Sequence, residues 1–505
     1  MSGLIKDVDF AVDERIWGHR LYDEQLPHLT VLEFLCVFGS NLKKPLVDGA
    51  ADGVTYQPQR QFRLRELLFN NPIVEMVRGQ AISDEDKWKR WAEIFKEESF
   101  NSRDEDMSYL RHVFSTFEDF ARAIELLRSS AFEARSNKRW SSKFVFPFGP
   151  DALYEDLRVD AKGGASNDRR FFARTGELLY LMLSRAKNGP LLGQQLAERL
   201  FDSSAPMNRL VRAMQGEPQF ASQPRMIPHH HLPYSELERF DQLCDDWLAI
   251  LSLDMPVYDA LEHLIAITGL NLLLYFLERA KAQLGDERPA ELVCEIVSRE
   301  RTKVRAISGE SYHANQSLSP AAVRAAIEKV QKEPRWVEAE QSDHRSERCA
   351  EILHELFQWP PLGGANGKPG KALVDELIVS TLSRHEQHFG KIHSTWSRAI
   401  GLSSRRSSRR YRYAPNDALL KSLVVTIVPD RMQFDEFLTE AKRRYGIVIG
   451  DFEGNHLVTS KKIDQEALGD NRQNLEARLV GLGLVRRLSD SCSFVENPFG
   501  SKEMI

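Results

Sequence analysis

The sequence predicts a mainly α-helical protein of several domains, and three observations support this fold class. Apolar residues recur three and four positions apart in many segments, which is the spacing of one helix face. A chain of 505 residues is long enough for two to four domains with their own cores. No unit recurs at a fixed period, so a regular solenoid is not indicated. Only the C-terminal fifth adds a strand-like alternating pattern, which predicts a small α+β module after a helical body.

The predicted divisions follow changes in composition along the chain. We expect a mixed, mostly helical region at 1–150, a helical domain at 151–359, a glycine- and proline-rich linker at 360–370, a basic helical or connecting segment at 371–413, and a small domain at 414–505.

The helical expectations rest on aromatic and aliphatic spacing. Trp88, Trp91 and Phe95 share one helix face, and Ser115 or Thr116 is placed to cap a following helix. The segment 143–150 contains two prolines and is expected to be extended. Further helices are predicted at 171–187, 191–201, 237–251, 256–284, 289–304 and 372–382, with Pro256 and Pro289 in first turns.

Composition limits the setting in which the protein works. The net charge of -5 excludes a wholly basic nucleic-acid coat, so any nucleic-acid contact must come from a local patch. Five cysteines without a C-x-x-C pair indicate neither a disulfide framework nor a cysteine zinc site. The N-terminus lacks the apolar stretch of an export signal, and the apolar run 264–277 is shorter than a membrane span of about 20 residues. We therefore expect a cytoplasmic protein without a membrane partner.

Candidate catalytic chemistry is sparse. The run His229–His231 is expected to be a surface loop, because adjacent side chains diverge from a single ion. His385, His388 and His393 suggest a metal site, a phosphate-facing patch or, preferably, a solvated helix face. Carboxylates at 151, 155, 156 and 168 leave a Mg²⁺-dependent nuclease open as an alternative. No phosphate-binding loop or G-x-S-x-G motif occurs, so we assign no catalytic residue, metal or cofactor, and enzymatic activity is not expected.

The strongest functional signal is the density of basic residues between Arg384 and Arg412. Eight Lys or Arg side chains stand there against one acid, Glu386, and four of them recur every seven residues. Trp396, Tyr411 and Tyr413 are interleaved and would supply rings for stacking on bases. The alternative is a solvated connector whose arginines contact only water.

A compact pattern of elements follows this basic segment. Residues 417–425 form a helix or strand, and an apolar stripe from Phe434 to Tyr445 predicts a helix ended by Gly446. A strand at 447–449 and a helix at 471–482 come next, the latter with Arg472, Gln473, Asn474 and Arg478 outward. Alternation around the turn 489–491 then predicts a β-hairpin that carries Arg486 and Arg487.

Over residues 415–499 this order resembles a winged-helix module. The resemblance implies that helix 471–482 enters a DNA major groove while Arg486 and Arg487 approach phosphates. Winged helices also bind proteins, so a docking role stays open.

Two further passages carry a second resemblance. The segment 16–25 (IWGHRLYDEQ), together with FPFGP at 146–150 and RRFFAR at 169–174, is similar to uncharacterised bacterial proteins of phage-defence gene clusters, of the methylation-associated kind. The resemblance implies a partner in a multi-protein system whose ATPase, methyltransferase or nuclease is a separate chain.

Together these observations predict a non-catalytic DNA-binding subunit of a bacterial anti-phage defence complex, which contacts the DNA phosphate backbone and other subunits. The alternatives are a metal-dependent nuclease and a protein-binding scaffold. The predicted DNA contacts are Arg398, Arg405, Arg406, Arg409, Arg410, Arg412, Arg472, Asn474, Arg478, Arg486 and Arg487.

Overall fold

The computed structural model describes most of the chain and confirms that it is mainly helical. The described residues are 11–19, 21–42, 46, 64, 67–68, 71–99, 106–129, 157–159, 165–167, 175–216, 232–298, 302–359, 367–405, 410–489 and 492–500. The predicted extended segment 143–150, His229–His231 and most of the predicted linker lie outside them.

The helices are α1 Ala11–Trp17, α2 Pro27–Ser40, α3 Ile73–Arg78, α4 Asp84–Glu98, α5 Leu110–Val113, α6 Phe117–Ser129, α7 Thr175–Ser184, α8 Gly189–Arg199, α9 Pro206–Gln215, α10 Glu238–Ser252, α11 Val257–Gln283, α12 Val304–Gln316, α13 Leu318–Glu328, α14 Pro334–Glu340, α15 Arg345–Phe357, α16 Gly370–Gln387, α17 Phe389–Ala399, α18 Asp417–Ile427, α19 Phe434–Tyr445, α20 Asn455–Thr459 and α21 Gln465–Gly481. A short 3-10 helix spans Lys329–Lys332.

The strands are short and form small sheets. They are β1 Leu157–Val159, β2 Ala165–Asn167, β3 Leu292–Val293, β4 Ser403–Ser404, β5 Arg412–Tyr413, β6 Arg431–Gln433, β7 Ile447–Val448, β8 Val485–Ser489 and β9 Cys492–Glu496. Strand β1 pairs with β2, β3 with β7, and β4 with β5, while β6, β9 and β8 form one sheet in that order.

The chain divides into two compact units, each discontinuous in sequence. One unit comprises 28–180 and 190–227, and the other comprises 1–27, 181–189 and 228–505. The regions predicted from the sequence were each continuous in the chain. Composition indicates where loops lie, but it does not reveal which distant segments pack together.

The first of these units contains the aromatic helix that the sequence predicts. Trp88, Trp91 and Phe95 of α4 are all buried. The Ser83 hydroxyl caps this helix by accepting a hydrogen bond from the Asp86 amide at 3.2 Å. The Thr116 hydroxyl accepts from the Asp119 amide at 3.1 Å just before α6, which identifies Thr116 as the predicted cap.

The larger unit is organised around α11, which begins directly after Pro256. By length and composition this helix alone, within the described residues, could cross a membrane, but 78% of its apolar window is buried inside the protein. Its polar Asn271 is satisfied internally, since the side-chain amide donates to the Asp246 carboxylate at 2.8 Å. These are the properties of a central core helix.

The predicted helix 289–304 is wrong. Residues 289–298 form no helix, and their strand β3 pairs in parallel with β7, with the Leu292 amide donating to the Gly446 carbonyl at 2.8 Å. Residues 292–296 are all buried. Apart from Glu295 this buried run is apolar, which is typical of a strand covered on both faces, and periodicity alone does not separate it from a buried helix.

Candidate nucleic-acid interface

The C-terminal elements form one packed module. Helices α18, α19 and α21 alternate with the three-stranded antiparallel sheet β6-β9-β8, in which Gln433 and Arg486 both lie opposite Phe494. The Asn497 side chain, just after β9, donates to the Val428 carbonyl at 2.7 Å and so ties the hairpin back to the end of α18. The predicted terminal hairpin is therefore present.

Helix α19 confirms the sequence prediction in detail. Its stripe is buried throughout: Phe434, Phe437, Leu438, Ala441 and Tyr445. Gly446 ends the helix at φ +65°, and a Cβ there would meet the Ala290 carbonyl oxygen at 1.9 Å. Glycine is required both for the left-handed backbone and for the close approach of the segment that carries β3.

Helix α21 is longer than predicted and is fixed by a buried asparagine. It begins at Gln465 rather than Asn471. The Asn471 side chain accepts from the Ile296 amide at 2.8 Å and donates to the Cys294 and Ile449 carbonyls, both at 2.9 Å. One side chain thus satisfies three backbone groups of two neighbouring segments, which orients the helix within the module.

The two predicted contact arginines on α21 bind carboxylates of the module itself. Arg472 pairs with Asp435 and lies over the Phe434 ring at 5.2 Å. Arg478 pairs with Asp417 at 2.6 Å and also donates to the Pro415 carbonyl at 3.3 Å. Both guanidinium groups therefore join α21 to the helices beside it.

The outward face of α21 is not basic. Glu466, Asp470 and Gln473 are exposed, and Asn474 is half-buried. The two acids in the first turns interact favourably with the positive end of the helix dipole, but they repel phosphates. The structure gives this helix a different electrostatic character from the one that the sequence interpretation assumed.

One face of the terminal sheet carries two arginines without ion-pair partners among the described residues, together with one acid, Glu496, opposite Arg431. Arg486 is exposed opposite Phe494, and no carboxylate of the described residues lies within ion-pair distance of it. The Arg431 guanidinium lies over the Phe494 ring at 3.8 Å on the same face. Arg487 lies 3.4 Å from Glu476, so part of its charge is neutralised. Sequence reasoning missed Arg431, because its position beside Phe494 follows only from the register of β6 and β9.

Strands β4 and β5 flank the arginine-rich segment in sequence and pair with each other as a stem. Ser403 lies opposite Tyr413, and Ser404 opposite Arg412. Arg406 and Arg409 lie outside the described residues, but Arg405 and Arg410 on either side of them are exposed. We call residues 405–410 the arginine loop. Arg398, also exposed, precedes the stem, and the Gly401 amide donates to its carbonyl at 3.1 Å.

Buried contacts anchor the stem of the arginine loop. The Tyr413 carbonyl accepts from the Glu295 amide at 2.9 Å and from the Ser308 hydroxyl at 2.7 Å. The Tyr413 hydroxyl contacts His393 Nε2 at 2.9 Å, and burial lowers the pKa of His393 to about 4. A neutral His393 is compatible with its enclosed position beside the stem.

Arg412 is a correction to the predicted contacts. Its side chain is 4% exposed and forms a buried ion pair with Glu295, which is equally enclosed. An arginine held in this way has no surface to offer a phosphate, so we leave it out of the proposed interface. Its role is to fix β5 to the extended segment after β3.

Two of the three predicted stacking rings are also unavailable. Trp396 and Tyr413 are fully buried in the core. Tyr411 is half-buried, stacks on Tyr312 with ring centroids 5.4 Å apart, and lies under the Arg405 guanidinium at 5.4 Å. Tyr411 therefore links Arg405 of the arginine loop to the buried Tyr312. The heptad of basic residues is also split, because α16, α17 and β4 are separate elements.

The candidate histidine cluster does not form a metal site. His385 is buried, His388 lies 3.7 Å from Asp23, and His393 contacts Tyr413. In the part of the chain that the structure describes, no group of three or more His, Cys, Asp or Glu side chains is placed to hold a metal ion. The carboxylates at 151, 155, 156 and 168, on which the nuclease alternative depends, lie outside the described residues.

Comparison with protein-family models, with curated proteins and with solved structures finds no match to this chain.

Proposed function

We propose that the protein is a DNA-binding subunit that holds DNA without reacting with it, and that its C-terminal module resembles a winged helix. The order α18-β6-α19-β7-α20-α21-β8-β9, with β6, β9 and β8 in one sheet, supports this description of residues 415–499. The observation that carries the proposal of DNA binding is the arginine loop, because the exposed side chains of Arg405 and Arg410 lie beside the paired strands β4 and β5.

The DNA contacts divide between two surfaces. Arg398, Arg405 and Arg410, with Arg406 and Arg409 between them, supply the first, and Arg486 with Arg431 supplies the second. Guanidinium groups without carboxylate partners can exchange their counterions for phosphates, which is the main source of sequence-independent affinity. Arg472 and Arg478 join α21 to the neighbouring helices instead of reading bases, and the half-buried Asn474 is not part of either surface.

Membership of a bacterial phage-defence complex is supported by the sequence resemblance at 16–25, 146–150 and 169–174. In such an assembly the helical body docks other subunits, and the C-terminal module holds DNA.

The salt dependence of DNA binding tests the proposal. Each lost phosphate contact lowers the slope of log K against log salt concentration by about 0.9, so the double variant Arg405→Ala/Arg410→Ala is expected to lower it by up to about 1.8. The matched control is Arg288→Ala/Arg324→Ala, which removes the same charge from exposed arginines that already pair with Asp286 and Glu328. An equal slope for both double variants and the unaltered protein would refute phosphate contact by the arginine loop.

A second candidate function is protein docking by α21, and the acidic outward face of this helix favours it. The variant Glu466→Gln/Asp470→Gln separates the two roles. If α21 lies against DNA, removal of two repelling charges strengthens DNA binding and steepens its salt slope. If the helix faces a protein partner, DNA binding is unchanged and the partner's binding weakens.

A further inference from the structure

Three side chains from three helices form a continuous hydrogen-bond relay in the larger unit. Asp13 of α1 lies with Oδ1 3.1 Å from His385 Nδ1, and His385 of α16 lies with Nε2 3.0 Å from the Ser319 hydroxyl of α13. The three residues are far apart in sequence, so no sequence motif identifies them as a group. The fold brings them together where α1, α13 and α16 pack.

The imidazole is held in one orientation. His385 and Asp13 are each 1% exposed. The His385 ring lies against Trp17, with centroids 5.8 Å apart, and against Phe389, with centroids 5.1 Å apart, and these two rings also stack on each other. Packing and hydrogen bonding therefore keep Nε2 directed at Ser319.

The donor and acceptor roles follow from the chemistry of the carboxylate. An ionised Asp13 can only accept, so the neutral imidazole donates its Nδ1 proton to it. Nε2 is then the unprotonated nitrogen and accepts the Ser319 hydroxyl proton. A serine whose proton is directed at an imidazole nitrogen, with a carboxylate behind the ring, is the arrangement that activates serine nucleophiles.

Ser319 is the accessible member of the relay. Its residue is only half-buried, in contrast to the two residues behind it. It is the second residue of the 11-residue helix α13, where the positive end of the helix dipole favours negative charge developing nearby. Because Ser319 retains exposed surface, it is the point at which a small ester reaches the relay.

We propose that Ser319 is a nucleophile for small activated carboxylic esters, with His385 as its general base and Asp13 as the residue that positions the imidazole. The Ser319 Oγ–carbon bond forms as the carbonyl π pair moves to oxygen and the hydroxyl proton passes to His385 Nε2. Collapse of this adduct breaks the ester C–O bond, and the leaving alcohol takes the proton from Nε2. Water then attacks the acyl-serine through the same relay, which releases the carboxylic acid and restores Ser319.

Diisopropyl fluorophosphate tests the nucleophile directly on the full chain. Attack forms a Ser319 Oγ–P bond and expels fluoride, and peptide mapping by mass spectrometry locates the adduct. We expect one adduct, at Ser319, that Ser319→Ala abolishes. The matched control is Ser317→Ala, two residues earlier, where the exposed hydroxyl donates to the Ala314 carbonyl at 2.7 Å. This control is expected to react like the unaltered protein.

The relay is tested by Asp13→Asn, which keeps the size of the side chain. We expect labelling of Ser319 and hydrolysis of p-nitrophenyl acetate to slow by about a hundredfold or more, with thermal melting used to verify the fold. Absence of an adduct at Ser319 in the folded protein overturns the proposal, and this outcome does not depend on any variant. Labelling of a folded Asp13→Asn protein at the original rate overturns the relay.

Discussion

Arg412 and Arg410 are two residues apart, yet the structure predicts opposite consequences for their loss. Arg412 is buried against Glu295, whereas Arg410 is exposed in the arginine loop. We expect Arg412→Met to lower the free energy of unfolding by about 3–5 kcal/mol, because it leaves the Glu295 carboxylate buried without its partner. Arg410→Met is expected to change stability by less than about 0.5 kcal/mol and to weaken DNA binding.

The double variant Arg412→Met/Glu295→Met sharpens this prediction. Removing both charges eliminates the unpaired buried ion, so the double variant should lose less stability than either single variant. It still loses about 1 kcal/mol, because the Thr302 hydroxyl, which donates to Glu295 at 2.8 Å, is left without its acceptor. Urea unfolding, monitored by tryptophan fluorescence, measures the free energy of unfolding of each variant. A single substitution that costs under 1 kcal/mol, or an Arg412→Met protein of normal stability that no longer binds DNA, would refute the structural role.

Two further predictions concern the module and its support. Gly446→Ala should lower the free energy of unfolding by about 2–3 kcal/mol, because the backbone is left-handed and a Cβ would collide with the Ala290 carbonyl. Gly483→Ala, at φ +73° with open space around it, should cost only about 1 kcal/mol. Equal losses for the two variants in thermal or urea unfolding would contradict the close approach of Ala290 to Gly446. Burial raises the pKa of Asp246 from 3.8 to about 6, so the folded protein binds this proton more tightly than the unfolded chain, and stability should fall by up to about 3 kcal/mol as pH rises from 4 to 6. Asp246→Asn should flatten the dependence of the free energy of unfolding on pH, whereas the exposed control Asp254→Asn should retain it. An unchanged pH dependence in Asp246→Asn would assign the loss of stability to another group.

Elements with a strong local signal were predictable from the sequence. The stripe of α19, its terminal Gly446 and the hairpin β8–β9 all follow from spacing and turn chemistry that nearby residues determine. The capping Thr116 was predicted for the same reason. Local rules succeed where the stabilising contacts lie within a few residues of one another.

The failures have one physical cause, which is that burial depends on distant partners. Leu292 and Val293 form a strand and not a helix because β7 provides their pairing partner about 150 residues later along the chain. Arg412 is buried because Glu295 neutralises it, and Trp396 and Tyr413 face the core because other helices cover them. An arginine or an aromatic ring has the same local signal whether it is exposed or enclosed, so sequence alone assigned all of them to one interface.

Pairing with carboxylates therefore separates the arginines of this acidic chain into two classes. Arg412, Arg472 and Arg478 reach Asp or Glu partners and stabilise the packing of the C-terminal segments. Arg405, Arg410 and Arg486 have no such partner within the described residues and retain their full charge at the surface. Because a phosphate competes with any carboxylate already bound, only the second class can gain free energy by releasing counterions from DNA. A protein of net charge -5 can thus keep a local group of unpaired arginines at its surface.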